Sequence, residues 1–426
     1  MGIQYQALKG MEDLLPGEIE KWQWLEGRTR VFFESRGFKE IRTPLLEYTE
    51  LFARSVGEAS DIVHKEMFSF EDRGGRNVTL RPEMTASVAR AVIEHGLLKT
   101  NKSLRLYYRG PMFRAERPQA GRKRQFHQIG IEMINETNLG GFNADAEIIF
   151  QLCSFLSYVG LKDFRLRLND LGDFAKQRQT ALKLKQYFSR EKSKLCEDCH
   201  YRLDKNVLRI FDCKNERCQP LIDKAPWDEI APLSKEFGYL MDCLKSSPVP
   251  FDISRRLVRG LDYYNGTVFE VTSEGLGAQD AVAGGGRYDG LYESLGGEST
   301  PATGFSIGIE RLLTALEATQ KNAFKEIESR QVYFASLVAD SSLRRLADEQ
   351  ALLLREAGFF IETLPQETSL SAHLKRANQL GIRWVVICGE DELQGKQFAL
   401  KDLEKRTQEK FNLDQMIPTL QARVSS

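Results

Sequence analysis

The sequence predicts an α+β protein of more than one domain, and three observations carry that prediction. Residues 105–114 and 125–134 are rich in Tyr, Phe, Ile and Leu and flank ERPQAGRKR, so they read as an antiparallel hairpin with a long basic loop. From about Lys176 to Pro248 strand-like runs give way to a charged helical pattern, long enough for a small inserted domain. The last hundred or so residues alternate strand, helix, strand, helix, strand, which predicts an α/β domain with a partly parallel sheet. At 426 residues the chain is too long for one ordinary core, and two or three domains are expected.

Composition narrows the class. Sixty Lys and Arg balance sixty Asp and Glu, so global charge gives no argument for nucleic-acid binding. Any such argument rests on local patches such as Arg122, Lys123 and Arg124. No run of about 18 apolar residues is present, so no membrane span is expected. The start, MGIQYQALKGMEDLLPGE, has neither a basic nor an apolar signal region, which suits a cytoplasmic protein. Seven cysteines in such a chain do not suggest a disulfide framework.

In chain order, Ile19, Trp22, Leu25, Val31 and Phe32 form a stripe that predicts a helix over roughly Glu18–Ser35, ended by Gly37. A strand is expected over FKEIRTPLLEY, with Pro44 marking an edge or a bend. Arg73–Gly74–Gly75 reads as a hairpin turn. Arg81–Pro82–Glu83–Met84–Thr85 then leads into a helix carrying Ala86, Val88, Ala89 and Val92. An acid and a hydroxyl suit a first helical turn on structural grounds alone. In the hairpin, Arg114 closes the first strand, and Gln128 and Glu132 share one face of the second. A surface hairpin with solvated charges is the bland alternative.

A helix (AEIIFQLCSFLSYVG) and a strand (DFRLRLNDLGDF) precede the helical insertion. Within the insertion, Cys196, Cys199, Cys213 and Cys218 have spacings compatible with a structural zinc site, with His200 as an additional candidate ligand. Four buried reduced thiols would explain the same pattern. Beyond it, LVRGLDYYNGTVFEVTS carries Arg259, Tyr263 and Tyr264, with Asn265–Gly266 as a turn. Adjacent tyrosines are commonly packing residues. Gly284–Gly286 lack the Lys-Ser/Thr of a P-loop and read as a strand turn where backbone approaches a ligand. Gly304, Gly308 and Arg311 lie where a strand runs into a helix. AFKEIESR, from about Ala323 to Arg330, reads as a linker.

FRAERPQAGRKRQFHQ followed by EMI resembles motif 2 of class II aminoacyl-tRNA synthetases, in detail that of the histidyl-tRNA synthetases. GFKEIRTPLLE resembles motif 1 and GFSIGIERLLTALE motif 3, while VRGLDYYNGTVFE resembles a segment peculiar to the histidyl family. The resemblance implies a class II catalytic domain over 1–325, an antiparallel sheet flanked by helices, interrupted by the insertion at 176–248. It also implies an anticodon-binding α/β domain over 329–426 and a homodimer formed through motif 1. The implied activity is activation of L-histidine with ATP, Mg²⁺ on the phosphates, and transfer to tRNA(His). In that family Arg114 holds the ATP α-phosphate and Arg311 packs against its adenine and γ-phosphate. Glu83, Met84, Thr85, Gln128, Glu132, Arg259, Tyr263 and Tyr264 would hold histidine, with Arg259 between its carboxylate and the α-phosphate. Arg117, Gln119, Arg122 and Arg124 would meet the tRNA acceptor end.

The residue types suit this chemistry. Neutral imidazole has one donor and one acceptor nitrogen, which Glu132 and the Tyr264 hydroxyl can match. A fixed guanidinium such as that of Arg259 stabilises charge gathering on an attacked phosphate. A second reading is the histidine-sensing regulatory subunit of ATP phosphoribosyltransferase, an inactive relative that typically lacks the terminal domain and has eroded arginines. A general tRNA-binding protein would leave the imidazole-specific pocket unexplained.

Overall fold

The hairpin at 104–134 lies inside a wide sheet in the computed structural model, which describes residues 5–57, 60, 62–119, 121–136, 143–246, 249–277, 280–320, 324, 331–364 and 369–424. The chain divides into two compact units, Met1–Lys321 and Asn322–Ser426. Strands of the first unit are β1 (Lys39–Glu40), β2 (Leu46–Tyr48), β3 (Phe68–Glu71), β4 (Asn77–Leu80), β5 (Leu104–Phe113) and β6 (Gln125–Ile134). They continue as β7 (Arg165–Asp170), β8 (Phe251–Ile253), β9 (Asn265–Thr272), β10 (Ala281–Arg287) and β11 (Ala302–Gly308). Eight of them form one sheet in the order β1-β5-β6-β11-β10-β9-β7-β8. The inner strands are antiparallel, as expected, but both edge pairs, β1 with β5 and β7 with β8, are parallel.

The pleat explains why the sheet has two unlike faces. Tyr107 joins an aromatic cluster with Phe33, Phe38, Phe155 and Phe305, ring centroids 5.0–6.4 Å apart, on the face covered by helices Ile19–Glu34 and Ala144–Tyr158. Tyr108, next in sequence, stands opposite Gly130 and belongs to the other face with Met84, Tyr263, Tyr264 and Tyr288. That second face carries the candidate site.

FKEIRTPLLEY is not one strand. It breaks at residues 41–45, where Pro44 sits, so that β1 joins the large sheet and β2 joins β4 and β3 in a small one. Buried Arg81 fixes the bend, donating to the carbonyls of Thr43 (2.9 Å), Pro44 (3.3 Å) and Pro111 (3.0 Å). The Arg73–Gly74–Gly75 turn is present between β3 and β4, with Asp72 Oδ1 accepting from the Gly74 and Arg76 amides. Asn265–Gly266 is not a chain reversal. Gly266, at φ 62°, opens β9 at a bulge where the pairing with β10 shifts. The glycine run likewise lies in the interior of β10, not in a turn.

The inserted stretch is helical, beginning at helix Phe174–Ser189 and ending with Lys235–Lys245. It has its own apolar core, including Leu184, Phe188, Leu203, Ile210, Phe211 and the four clustered cysteines, and Val258 enters that core from outside the insertion.

In the second unit, strands β12 (Gln331–Leu337), β13 (Phe360–Glu362), β14 (Trp384–Gly389), β15 (Gln397–Asp402) and β16 (Thr407–Asn412) form a sheet ordered β13-β12-β14-β15-β16. The first three are parallel and the last two antiparallel, with apolar clusters on both faces. The sheet is thus partly parallel, as the alternating pattern predicts. The expected linker falls outside the described residues apart from Phe324. No helix among the described residues is long and apolar enough to cross a membrane.

Phe33 is fully buried at the centre of the aromatic cluster. Phe33→Ala should therefore destabilise the first unit by about 3–5 kcal/mol. Chemical denaturation followed by a probe in that unit should show its transition shifted to lower denaturant, and an unchanged midpoint would refute the packing account.

Candidate active site

Two carboxyl groups lie buried side by side on the open face of the large sheet. Glu83 precedes helix Thr85–Glu94, and its oxygens accept from the Thr85 amide (2.7 Å) and the Ala86 amide (2.9 Å). The helix-start role expected of an acid is therefore real. The same carboxyl also accepts from the Tyr263 hydroxyl at 3.3 Å. Glu132, on β6, accepts from the Thr85 hydroxyl at 2.8 Å and from the Tyr288 hydroxyl. Thr85 thus ties the two carboxyls together. Burial raises the pKa of Glu83 and pushes that of Glu132 up to about 8, against the lowering effect of its hydroxyl donors.

The sheet makes room for these groups with glycine. A Cβ on Gly304, directly across from Glu132, would stand 1.8 Å from Glu132 Oε2. A Cβ on Gly284 would meet the Arg259 guanidinium at 2.3 Å. The close neighbour of the β10 glycines is therefore an arginine of the chain itself. Arg259 Nη1 donates to Glu270 on β9 at 3.2 Å, and its guanidinium lies 6.0 Å from the Tyr264 ring. The buried Nε of Arg259 has no hydrogen-bond partner among the described residues, so one donor remains for a ligand.

Two further arginines flank the carboxyls. Arg114, just past β5, donates to the Pro82 carbonyl at 3.1 Å and lies 5.2 Å from the Phe126 ring. Arg311 opens helix Ile309–Thr319 and donates to the carbonyls of Gly121 (3.0 Å) and Ala281 (2.7 Å). Burial, then the like charges of Arg122 and Arg114, lower the pKa of Arg311, with Glu116 and Glu270 opposing. Such crowding of cations favours a polyanionic ligand.

The expected site residues do not all converge. Thr85, Glu83, Glu132, Tyr263, Tyr264, Arg114, Arg259 and Arg311 do, and Gln128 joins them from β6 with its amide on Ser306 at 3.2 Å. Met84 does not. Its side chain is packed in the core, with its sulfur accepting from the Thr43 hydroxyl, because the residue before the helix turns inward. In the basic loop Arg117 and Gln119 are exposed. Arg122 pairs with Glu116 at 3.0 Å, and Arg124 Nε reaches the Glu116 carbonyl at 3.3 Å. Tyr108, Tyr288, Glu270 and Ser306 are members that sequence reading missed. Tyr288, one residue past the β10 run, had a glycine-rich strand beside it as its only signal.

The cysteines of the insertion do converge. The sulfurs of Cys196, Cys199, Cys213 and Cys218 all lie within 4.8 Å of one another, with Cys196 and Cys213 at 3.8 Å, and none is in a disulfide. His200 lies outside this group of possible ligands, and its Nε2 is engaged at 2.7 Å with the Lys192 carbonyl.

Comparison with known proteins places this architecture. The family model described as Histidyl-tRNA synthetase matches residues 10–193 and 215–312, and one described as Anticodon binding domain matches 331–423. A histidine–tRNA ligase of Prochlorococcus marinus (strain MIT 9211) is 46% identical over 404 residues, 94% of this chain and 93% of that one. One from Thermotoga petrophila is 42% identical over 426 residues, 99% of this chain and 100% of that one. The crystal structure of apo S. aureus histidyl-tRNA synthetase superposes with a TM-score of 0.72 at 30% identity, covering 98% of this chain and 100% of that one.

The raised pKa of Glu132 makes a stability prediction with a definite sign. Between its ordinary value of 4.5 and about 8, the folded carboxyl keeps a proton that the unfolded chain releases. Its contribution to stability is full below 4.5 and is lost as pH rises through about 8. Glu132→Gln removes this dependence. The thermal midpoint of the variant should fall less than that of the wild type from about pH 6 to about pH 9. Parallel pH profiles would show that the carboxyl is ionised throughout.

Proposed function

The chain belongs to the histidyl-tRNA synthetase family and is an aminoacyl-tRNA synthetase, a histidine–tRNA ligase, and from that premise we propose which of its side chains do the work. The enzyme activates histidine with ATP to histidyl-adenylate, releasing pyrophosphate, and passes histidine to the 3′ end of tRNA(His).

The buried carboxyl pair beside Arg259 is the observation that supports the assignment best. Glu83 takes the substrate α-ammonium, helped by Thr85 and the Gln128 amide. Glu132 accepts from one imidazole nitrogen, and Tyr264, whose ring packs on Tyr263 at 4.7 Å, donates to the other. An isosteric side chain without these groups would leave buried polar atoms unpaired, which is worth about 10⁴–10⁵-fold in discrimination. The oxygens of Glu132 are held by Thr85 and Tyr288, so the carboxyl is aimed before substrate arrives.

For activation, a histidine carboxylate oxygen attacks the α-phosphorus and the bond to pyrophosphate breaks. No side chain of the enzyme acts as nucleophile. Arg114 holds the α-phosphate, and Arg259, reached by its unpaired Nε–H, spans that phosphate and the substrate carboxylate. Arg311 holds the adenine and γ-phosphate end of ATP. Mg²⁺ when bound neutralises the phosphates. In transfer, the terminal ribose hydroxyl attacks the histidyl carbonyl and AMP leaves. Arg117, Gln119, Arg122 and Arg124 face the acceptor end, two of them exposed.

The same reading assigns 1–325 to the catalytic domain with 176–248 inserted and 329–426 to anticodon binding, and it includes a structural zinc on the four cysteines. It places the enzyme in the cytoplasm as a homodimer. Leu45, Leu46, Tyr48 and Phe70, on the motif 1 segment and the small sheet beside it, are exposed apolar side chains suited to pairing. The regulatory-subunit reading is not favoured, since 331–423 matches an anticodon-binding domain and the three arginines are intact.

Arg259→Ala tests the assignment. Histidine-dependent ATP–pyrophosphate exchange should slow by about 10²–10³-fold, with ATP affinity little changed. An unchanged exchange rate would remove Arg259 from the chemistry.

A further inference from the structure

We propose that Cys196, Cys199, Cys213 and Cys218 hold a structural zinc ion, and that this centre, through Asn206 and Arg209, positions the loop that presents Arg259. The positioning half rests on the role given to Arg259 above; the metal half does not.

The sulfur geometry is that of a tetrahedral thiolate site. With Zn–S near 2.3 Å, neighbouring sulfurs of a tetrahedron stand about 3.8 Å apart. Cys196 and Cys213 are 3.8 Å apart, and all four sulfurs fall within 4.8 Å of each other. Backbone amides point at two of them, Cys196 N–H to Cys218 Sγ at 3.2 Å and Asn215 N–H to Cys213 Sγ at 3.4 Å, a common support for metal-bound thiolate. With four sulfurs the shell is closed, so the ion holds structure and does no chemistry.

What it holds together is a segment of two short helices. Helix Glu197–Lys205 ends at Asn206, a 3₁₀-helix runs over Val207–Asp212, and Cys213 closes the segment. A 3₁₀-helix of that length has poor hydrogen-bond geometry, and a metal at both ends of the segment fixes it. From it, Asn206 Nδ2 donates to Asp262 Oδ1 at 3.1 Å and Arg209 Nη1 to the Arg259 carbonyl at 3.2 Å. Arg209 lies so close to the loop that a Cβ on Gly260 would stand 2.9 Å from its Nη1. Val258 is buried in the core that the cysteines share. On its other flank the loop is held by Asn169, which donates to the Leu257 carbonyl at 2.9 Å, and by the Asp262 amide on the Val56 carbonyl at 3.1 Å. Residues 258–262 are therefore clamped between the catalytic sheet and the cysteine knot, and Arg259 leaves that clamp toward Glu270 and Gly284. Asn206 and Arg209 are positioning residues.

The test uses the full-length chain, purified without chelator, and three measurements. Elemental analysis should give about one zinc per chain, released when a mercurial reagent titrates the thiols. Hydrogen exchange over residues 256–264 should speed up when zinc is stripped, and also in Arg209→Met with zinc still bound. In Arg209→Met the kcat of histidine-dependent pyrophosphate exchange should drop about tenfold with KM for ATP unchanged, and Arg209→Lys should recover part of it. A zinc-free chain with four free thiols or two disulfides overturns the metal centre. Zinc that is present but leaves exchange over 256–264 unaltered when removed overturns the clamp. A wild-type chain without histidine-dependent activity would contradict the assigned function, while zinc content and hydrogen exchange would still decide the metal site and the clamp.

Discussion

The Glu132 carboxyl is held out of water in the middle of an eight-stranded sheet, and much of the candidate site follows from accommodating it. Burying an ionised carboxylate costs several kcal/mol unless hydrogen bonds replace its hydration. Thr85 and Tyr288 supply such bonds, and burial still leaves the group easier to protonate than in water. The neighbouring strand position must then be glycine, because any side chain at Gly304 would occupy the carboxyl's place. Glu83 repeats the arrangement with two backbone amides and Tyr263. Both carboxyls are thus buried and hydrogen-bonded in place, which suits a substrate that brings both a cation and a hydrogen-bond donor.

The arginines form the complementary half. Arg114, Arg122 and Arg311 crowd together, moderated by Glu116 and Glu270, and Arg259 pairs with the same Glu270. Carboxyls and cations thus adjoin along one face, with Arg114 beside Glu83. In the proposed assignment the carboxyls take ammonium and imidazole, the arginines take the phosphates, and the attacking carboxylate lies at Arg259. Glu132, Glu270 and Arg311 are mounted on β6, β9 and the start of a helix, and Arg259 on a loop held by Asn169 and Arg209, so little reorganisation is needed as charge moves.

Much of this was legible in the sequence because its signals are local. Period-2 alternation placed Gln128 and Glu132 together, the hairpin and the terminal α/β unit follow from turns and alternation, and the four cysteines announced themselves by spacing. What escaped depends on sheet order. Strand β6 lies beside β11, with β10 and β9 beyond, although β6 is far from those three strands in the chain, and only that order brings Tyr288, Ser306 and Glu270 to the site. The glycines at 284–286 show the same limit: local reasoning reads a strand turn where backbone approaches a ligand, whereas the sheet uses Gly284 as space for an arginine. Pro44 and Gly266 were recognisable as irregularities, but that one splits a strand between two sheets and the other makes a bulge is decided by Arg81 and by β10.

The central claim is that a protonated, buried Glu132 becomes the charged acceptor of imidazole when histidine binds. Calorimetric titration of histidine into the enzyme, in buffers of different ionisation enthalpy, counts the protons involved. Near pH 7, where Glu132 with a pKa of about 8 is mostly protonated, binding should release close to one proton beyond that owed to free histidine. The excess should vanish in Glu132→Gln. Histidine binding with no excess proton release, or with the same release in the variant, would contradict the account.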